Sequence, residues 1–158
     1  MKPKIVEKEA LLIAGVAGSG DETVKAWEAF MKIQKINPLK NQAGDEGYEV
    51  RMYPADGPGK ILVGVAITDT KAPPEYKTVA LPSSAYAEFE IFPAKGYESG
   101  NTAMNQWLEE NEKAYKQRQL NGMHYAVEVY DKRFKGEKDP DSIVEILIPI
   151  VEVKGKKK

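Results

Sequence analysis

The segment Ile143-Val-Glu-Ile-Leu-Ile-Pro-Ile150, near the end of the chain, carries a single acidic residue within an otherwise apolar run. Successive side chains of a β-strand point to opposite faces, so apolar residues at every second position indicate a buried face. Glu145 and Leu147 fall together on one face of this segment. The other face carries the aliphatic set Val144, Ile146, Ile148 and Ile150. The segment therefore predicts a strand with a core face and a second, mixed face.

A similar segment, Leu62-Val-Gly-Val-Ala-Ile67, occurs in the first half of the chain, and the elements before it follow a simple order. The apolar segment from Ile5 to Val16 predicts a strand that ends at a glycine-rich turn. Apolar residues at helical spacing then predict a helix that ends at Asn37-Pro38. Tyr48 to Tyr53 alternates as a half-buried strand. The order in this half is strand, helix, strand, strand.

The second half repeats this order after Lys71-Ala-Pro-Pro-Glu75, which predicts an extended linker because proline withholds amide donors. A helix whose apolar face carries Met104 and Trp107 follows the first strands of this half. The predicted strands are Lys77 to Leu81, Ala85 to Phe92, His124 to Arg133 and Ser142 to Val153. Strand, helix, strand and strand thus occur twice.

Local sequence matches support an internal duplication. Val50 and Val127 occupy the same step of two Tyr-x-x-x-x-Tyr strands, one in each half. The closing strands of the halves also match, and this match puts Leu62 at the position of Glu145. The shared order of these matches predicts that the two halves have the same topology.

We predict an α+β fold in which duplicated βαββ units with pseudo-twofold symmetry form one antiparallel sheet. Both helices pack on one face of that sheet, and a ligand groove lies between the repeats on the other. The single predicted domain covers residues 1–158, with repeat one at 1–72, repeat two at 76–153 and a basic tail at 154–158. The predicted helix-facing set is Tyr48, Val50, Met52, Val63, Val65, Ile67, Val127, Val129, Val144, Ile146, Ile148 and Ile150.

Composition and charge argue against several classes of function. The 158 residues include 23 basic and 24 acidic side chains, a balance that argues against nucleic-acid binding. The chain has no cysteine, which excludes disulfides, thiolate metal sites and thiol nucleophiles. We find no signal-peptide or membrane-spanning run and expect a cytoplasmic protein. We expect no metal and no cofactor, because the single histidine, His124, is typical of a surface or packing residue.

Glu145 is the first candidate site residue, because a carboxylate in an apolar strand must reach water or meet a partner. In one interpretation it is exposed or forms a salt bridge to Arg51 or Lys60. In the other it anchors an organic cation, since a carboxylate and aromatic ring faces both attract positive charge. The side chains predicted to join it in the site are Tyr53, Trp107, Glu128 and Tyr130. Ordinary packing remains the alternative for each ring.

Three segments carry a resemblance to a known family: Ile143–Ile150, Val127-Glu-Val-Tyr-Asp131 and Ala80-Leu-Pro-Ser-Ser-Ala-Tyr-Ala-Glu-Phe89. Together they resemble GyrI-like effector-binding domains, which also serve AraC-type and MerR-type multidrug regulators. The resemblance implies that Glu145 pairs with a hydrophobic or cationic small molecule and that Leu147 is its apolar neighbour. No helix-turn-helix pattern precedes the first strand, so we expect a stand-alone form without its own DNA-binding domain.

The resemblance leaves other functions open. Some similar GyrI-like proteins hydrolyse electrophilic, cyclopropane-bearing natural products, and Glu145 and Tyr130 are the candidates to activate water in such a reaction. A role in protein interaction, with gyrase or with a regulator as partner, is a further alternative. Haem binding, as in the structurally similar SOUL-type domains, would require His124.

Overall fold

The computed structural model describes residues 2–153, in which one antiparallel β-sheet carries two α-helices on one face. The predicted basic tail, residues 154–158, lies outside the described residues. The strands are β1 (Lys4–Lys8), β2 (Leu11–Ser19), β3 (Gly47–Tyr53), β4 (Lys60–Ile67), β5 (Lys77–Leu81), β6 (Ser84–Ile91), β7 (Tyr115–Gln117), β8 (Gln119–Leu120), β9 (Met123–Tyr130) and β10 (Val144–Glu152). The helices are α1 (Thr23–Ile36) and α2 (Glu98–Glu110). The predicted α+β class and antiparallel sheet are confirmed.

The eight main strands follow the order β1-β6-β10-β9-β3-β4-β2-β5 across the sheet, and the short strands β7 and β8 pair with β10 and β9. From the central pair, one half runs outward as β3, β4 and β2, and the other as β9, β10 and β6. Each half therefore contains strand, helix, strand and strand with the same neighbours. This order agrees with two βαββ units, and the repeat boundaries at residues 72 and 76 stay a prediction.

The outermost strands cross between the two halves. The sequence predicts one strand from Ile5 to Val16, and this prediction is wrong, because the segment is broken at Glu9-Ala10. Before the break, β1 pairs with β6 of the second half, whereas β2 after it pairs with β4 of the first. β5 makes the reverse crossing, since it directly precedes β6 in the chain yet pairs with β2. Each half of the sheet thus has an edge strand from the other half of the chain.

These two crossings force the sheet to curve. Lys8 and Leu11 are three Cα steps apart, a distance of at most about 11 Å. β1 is the first strand in the order and β2 the seventh, so six spacings would put them about 29 Å apart in a flat sheet. Leu81 and Ser84 join β5 to β6 over the same number of spacings. The sheet therefore curls until its edges approach, and the face away from the helices becomes concave.

Apolar clusters fill both sides of the curved sheet. On the convex side, Phe30 of α1 belongs to a cluster with Val63 of β4, and Met104 of α2 belongs to one with Ile146 of β10. On the concave side a third cluster has its own buried members. They are Ile13, Val50, Leu62, Ala66, Leu81, Tyr86, Tyr125, Val127, Val129 and Leu147. The sheet is therefore apolar on both faces.

The predicted faces are confirmed for β4 and β10 and wrong for β3 and β9. Val50 and Val127, expected beneath the helices, belong to the concave cluster. Their neighbours Glu49, Arg51 and Glu128 lie on the helix side instead, where they form ion pairs with one another. The prediction fails because apolar side chains fill the concave side of these central strands, and their charged side chains neutralise one another beneath the helices.

The register of the ladders corrects one match between the halves. Val50 pairs with Leu62, and Val127 pairs with Leu147. If Val50 and Val127 are equivalent, the counterpart of Leu62 is therefore Leu147. Glu145, two residues earlier on its strand, then corresponds to Lys60.

Gly15 and Gly64 pair across β2 and β4. A Cβ atom added to Gly15 would overlap the backbone of Val63, and one added to Gly64 would overlap the backbone of Ala14. The missing side chains therefore allow the two strands to approach closely, a frequent role of glycine inside a sheet.

We expect Gly15→Ala to lower the free energy of unfolding by about 1 to 3 kcal/mol, the usual cost of overpacking. Gly18→Ala on the same strand is the matched control, because its added Cβ would lie 3.8 Å from Ala26 Cβ, an ordinary contact. Urea denaturation of both variants measures the difference. Equal stabilities would contradict a close approach at Gly15.

Candidate ligand-binding site

A cavity of about 410 Å³ opens on the concave face, a volume within the range of small-molecule sites. Residues from the crossing between β1 and β2 and from Leu81 at the end of β5 contribute to its wall, so the cavity lies where the sheet edges approach. Its lining residues are Lys8, Glu9, Ala10, Leu11, Glu46, Tyr48, Leu81, Tyr86, Glu88, Val127, Val129, Asp131, Arg133, Glu145 and Leu147.

Two of the predicted site residues, Glu145 and Leu147, lie in this cavity. Both come from β10, and their cross-strand partners on β9 are Val129 and Val127. Partners in an antiparallel ladder share a face, so these four side chains form one continuous patch of the cavity floor. The alternation in the sequence therefore places Glu145 correctly on the face away from the helices.

Glu145 is only 9% exposed and forms an ion pair with Arg133, whose Nη2 lies 3.1 Å from its Oε2. The predicted salt-bridge partners, Arg51 and Lys60, do not form this pair. Burial acts to raise the pKa of Glu145, but hydrogen bonds with Glu88 and Arg133 outweigh it and lower the pKa. Glu145 therefore carries its negative charge at neutral pH.

Arg133 lies in the loop between β9 and β10 and contacts three carboxylates. Besides Glu145, its Nη2 lies 2.8 Å from Asp131 Oδ2, and its Nη1 lies 3.2 Å from Glu90 Oε2. The hydrogen bonds from Arg133 lower the pKa of Asp131 and, in return, raise the pKa of Arg133. The wall of the cavity beside Glu145 is therefore a charged cluster with an excess of acid.

Glu88 of β6 adds a second carboxyl group beside Glu145. Its hydrogen bond to Glu145, aided by partial burial, raises the pKa of Glu88 to about 7. Two adjacent carboxyl groups cannot easily both be charged, so one retains a proton. Glu88 keeps this proton and donates it toward the ionised Glu145.

Two tyrosines provide the aromatic part of the cavity wall. Tyr48 of β3 lines the cavity beside the acidic cluster, and burial and then the charges of Glu46, Glu145 and Asp131 raise its pKa. Tyr86 of β6 is buried on the same face. Neither ring belongs to the predicted site, and for Tyr48 the reason is the reversed face of β3. Its pairing with Val129 places it beside Glu145.

The structure places the other predicted site residues away from Glu145. Glu128, Tyr130 and Tyr53 lie on the helix side of the sheet, where they line a separate cleft with Tyr97 of the segment before α2. Trp107 packs on the convex side, edge-on to Phe89 and stacked on Tyr115. Glu145 and Tyr130, the pair required by the hydrolase alternative, are therefore on opposite faces.

The helix-side cleft contains a polar network whose members satisfy one another. Arg51 donates to Glu128 at 2.8 Å and to Glu49 at 2.9 Å, which neutralises part of the buried charge. Trp27 Nε1 donates to Glu49 at 2.7 Å, and the Tyr130 hydroxyl donates to Glu128 at 2.7 Å. Each buried carboxylate thus has two partners, as buried charge requires. The partners within this network are sufficient to account for the burial of Glu49 and Glu128 without a ligand.

Residues 2–153 contain no group of three metal-binding side chains that could hold an ion. His124 lies at the start of β9, is exposed, and lines a second cleft on the helix side rather than the concave cavity. No helix in the described part of the chain is long and apolar enough to cross a membrane.

A family model for integron-associated effector-binding proteins matches residues 4–150. The chain belongs to this family. The family match agrees with the GyrI-like resemblance of its three sequence segments. No curated protein matches this effector-binding chain.

Solved structures with the same fold show low sequence identity to this effector-binding chain. SAV2435 bound to tetraphenylphosphonium is 15% identical, with a TM-score of 0.73 over 96% of this chain and 94% of that one. A putative transcription regulation protein from Staphylococcus aureus MU50 is 17% identical, with a TM-score of 0.67 over 95% and 98%. EcmrR in complex with DNA is 14% identical, with a TM-score of 0.70 over 96% and 58%.

The shared proton of Glu88 predicts a pH-dependent stability. Its pKa is about 7 in the folded protein against an ordinary 4.5, so between these values the folded state binds the proton more tightly. Stability from this group is therefore present at low pH and is lost as pH rises toward 7. Glu88→Gln should gain melting temperature relative to wild type between about pH 5 and about pH 8.

The matched control is Glu7→Gln, an exposed glutamate on neighbouring β1 that does not line the cavity. Thermal unfolding of the three proteins across the pH range makes the comparison. A difference between Glu88→Gln and wild type that stays constant with pH would rule out the raised pKa.

Proposed function

We propose that the concave cavity binds a bulky, lipophilic organic cation and that Glu145 is its charged anchor. The observation that carries this proposal is a buried, ionised carboxylate on the floor of a cavity with apolar and aromatic walls. Arg133 already pairs with this carboxylate, and in a partly dry site the remaining negative charge of the cavity wall still attracts a ligand cation.

The charge of the cavity supports a cationic ligand. Five acidic residues line it, Glu9, Glu46, Glu88, Asp131 and Glu145, against two basic residues, Lys8 and Arg133. Even with a proton on Glu88, the wall keeps an excess of negative charge. A site lined by one sign of charge raises the local concentration of ligands of the opposite sign.

The walls of the cavity support a ligand that is also large and apolar. Tyr48 and Tyr86 present rings that attract cations, and Leu81, Val127 and Leu147 supply aliphatic surface. The related SAV2435 has been solved with tetraphenylphosphonium, a cation of this kind. We therefore favour quaternary phosphonium and ammonium compounds with aromatic groups.

We also propose that a protein partner reads out ligand binding in the cytoplasm. The related EcmrR has been solved in complex with DNA, and the match to the present protein covers 58% of the EcmrR chain. In the present protein, residues 2–153 form the effector-binding fold. A transcription regulator is the favoured partner, and gyrase is the alternative.

Glu145→Gln tests the anchor, because it keeps the shape of the side chain and removes its charge. We expect it to weaken binding of methyltriphenylphosphonium by about 1.5 to 3 kcal/mol, the range for hydrogen bonds to charged groups. Triphenylphosphine oxide, a neutral compound of nearly equal shape, should bind both proteins equally. Isothermal titration calorimetry measures both affinities.

Glu128→Gln is the matched control, since Glu128 is equally buried but lies on the helix side. It should leave the affinity for the phosphonium unchanged. If Glu145→Gln weakens the cation and the neutral compound equally, or weakens neither, Glu145 is not the anchor.

A further inference from the structure

Arg133 already occupies the position that the ligand would need. Its guanidinium contacts Glu145 at 3.1 Å and lines the same cavity. Among the described residues, Arg133 alone forms an ion pair with Glu145. A ligand cation can therefore reach Glu145 at full strength only if the guanidinium moves away.

We propose that Arg133 is an internal counter-cation of the ligand site, which a ligand's cationic group must displace from Glu145. The Arg133–Glu145 ion pair then sets both the affinity of the site and its preference for charged ligands. This inference rests on the proposed function, because it concerns the regulation of that same site.

The contacts of Arg133 make its displacement feasible. Asp131 binds the guanidinium through Nε at 3.0 Å and Nη2 at 2.8 Å, and Glu90 binds Nη1 at 3.2 Å. Release from Glu145 leaves both of these partners in place, so the guanidinium is never without a counter-charge. The side chain is 36% exposed, against 12% for that of Glu145. The movable partner is thus the exposed one, and the fixed partner is the buried one.

The backbone gives Arg133 the same freedom. Glu145 is fixed by ladder pairing on both sides of β10, with Val129 and with Glu90. Arg133 belongs to the turn after β9, outside every strand. Its backbone is held by the carbonyl bond to Ile143 N and by its own amide bond to Asp131. Only the side chain has to move to free Glu145.

The competition selects among ligands by charge and hydration. A neutral hydrophobic compound leaves the ion pair intact and gains only the apolar and aromatic walls. A compact primary ammonium must shed strongly bound water before it can replace a guanidinium that is already in place. A bulky quaternary cation has little bound water to lose, so it competes best.

The first test is Arg133→Gln, which removes the competing charge and retains a polar side chain. We expect the affinity for methyltriphenylphosphonium to rise about fivefold to tenfold, as loss of one ion pair of about 1 kcal/mol or slightly more predicts. The affinity for triphenylphosphine oxide should stay within about twofold. An unchanged or weakened cation affinity would overturn the inference.

Lys8→Gln is the matched control, because Lys8 lines the same cavity but forms no ion pair with Glu145 among the described residues. It should raise the cation affinity by about twofold at most, and added salt should remove this gain by screening. A gain equal to that of Arg133→Gln would show that any nearby positive charge has the same effect, and would overturn a specific role for Arg133.

A double-mutant cycle tests whether Arg133 acts through Glu145. In a Glu145→Gln background the competition no longer exists, so Arg133→Gln should give no further gain in cation affinity. A gain of the same size in both backgrounds would overturn the inference, because it would show that Arg133 acts independently of Glu145.

The wild-type protein provides a measurement that does not depend on whether the variants fold. The Nε–Hε NMR signal of Arg133, assigned with Arg133→Lys, should shift on saturation with methyltriphenylphosphonium and stay in place with triphenylphosphine oxide. If the cation binds and Glu145→Gln weakens its binding, but the Arg133 signal does not shift, this inference is overturned and the proposed function stands. Failure of the wild type to bind the cation overturns the proposed function as well.

Discussion

Two short crossings of the chain, Glu9-Ala10 and Pro82-Ser83, hold the whole sheet in its curved form. Each joins strands that a flat sheet would place about 29 Å apart, further than two residues can reach. The curl gives the concave face an interior that excludes much of the solvent. It also brings Glu9 and Ala10 of the first crossing over that face, where they form part of the cavity wall together with Leu81 at the end of β5. The site therefore depends on how the sheet closes rather than on any one strand.

Curvature of the sheet also determines how the charged side chains of the central strands, β3 and β9, find partners. The middle of β3 and of β9 is buried on the helix side and on the concave side, so the charged side chains of Glu49 and Glu128 have little access to water. The chain places Glu49 and Glu128 opposite each other and adds Arg51 between them. Two buried carboxylates thus share one guanidinium beneath the helices. On the concave face Glu145 has its own arginine, so the two faces satisfy buried charge by the same chemistry.

Strand β10 shows how much of the fold and of the ligand site could be inferred from sequence. The alternation of Ile143–Ile150 predicts both of its faces correctly, because one face is uniformly aliphatic and the other carries the only charge. The same rule fails for β3 and β9, since both of their faces are buried and alternation does not tell which of them meets the helices. Arg133 had no local signal, because its contacts with Glu145 and Glu90 arise only when the loop after β9 folds over the sheet. Alternation within a strand reports local burial, whereas these contacts depend on the tertiary fold.

The exchange of edge strands has a consequence for how the protein is made. Lys4 pairs with Glu88, so β1 leaves the ribosome well before its partner β6 and waits unpaired until β6 has been synthesised. During that interval its backbone donors and acceptors are exposed, and such an unpaired edge is prone to join other chains. β1 is short, and its residues Lys4, Glu7 and Lys8 carry charges along it. Charged side chains on a short edge strand discourage such pairing, so the same residues that later close the sheet also protect the nascent chain.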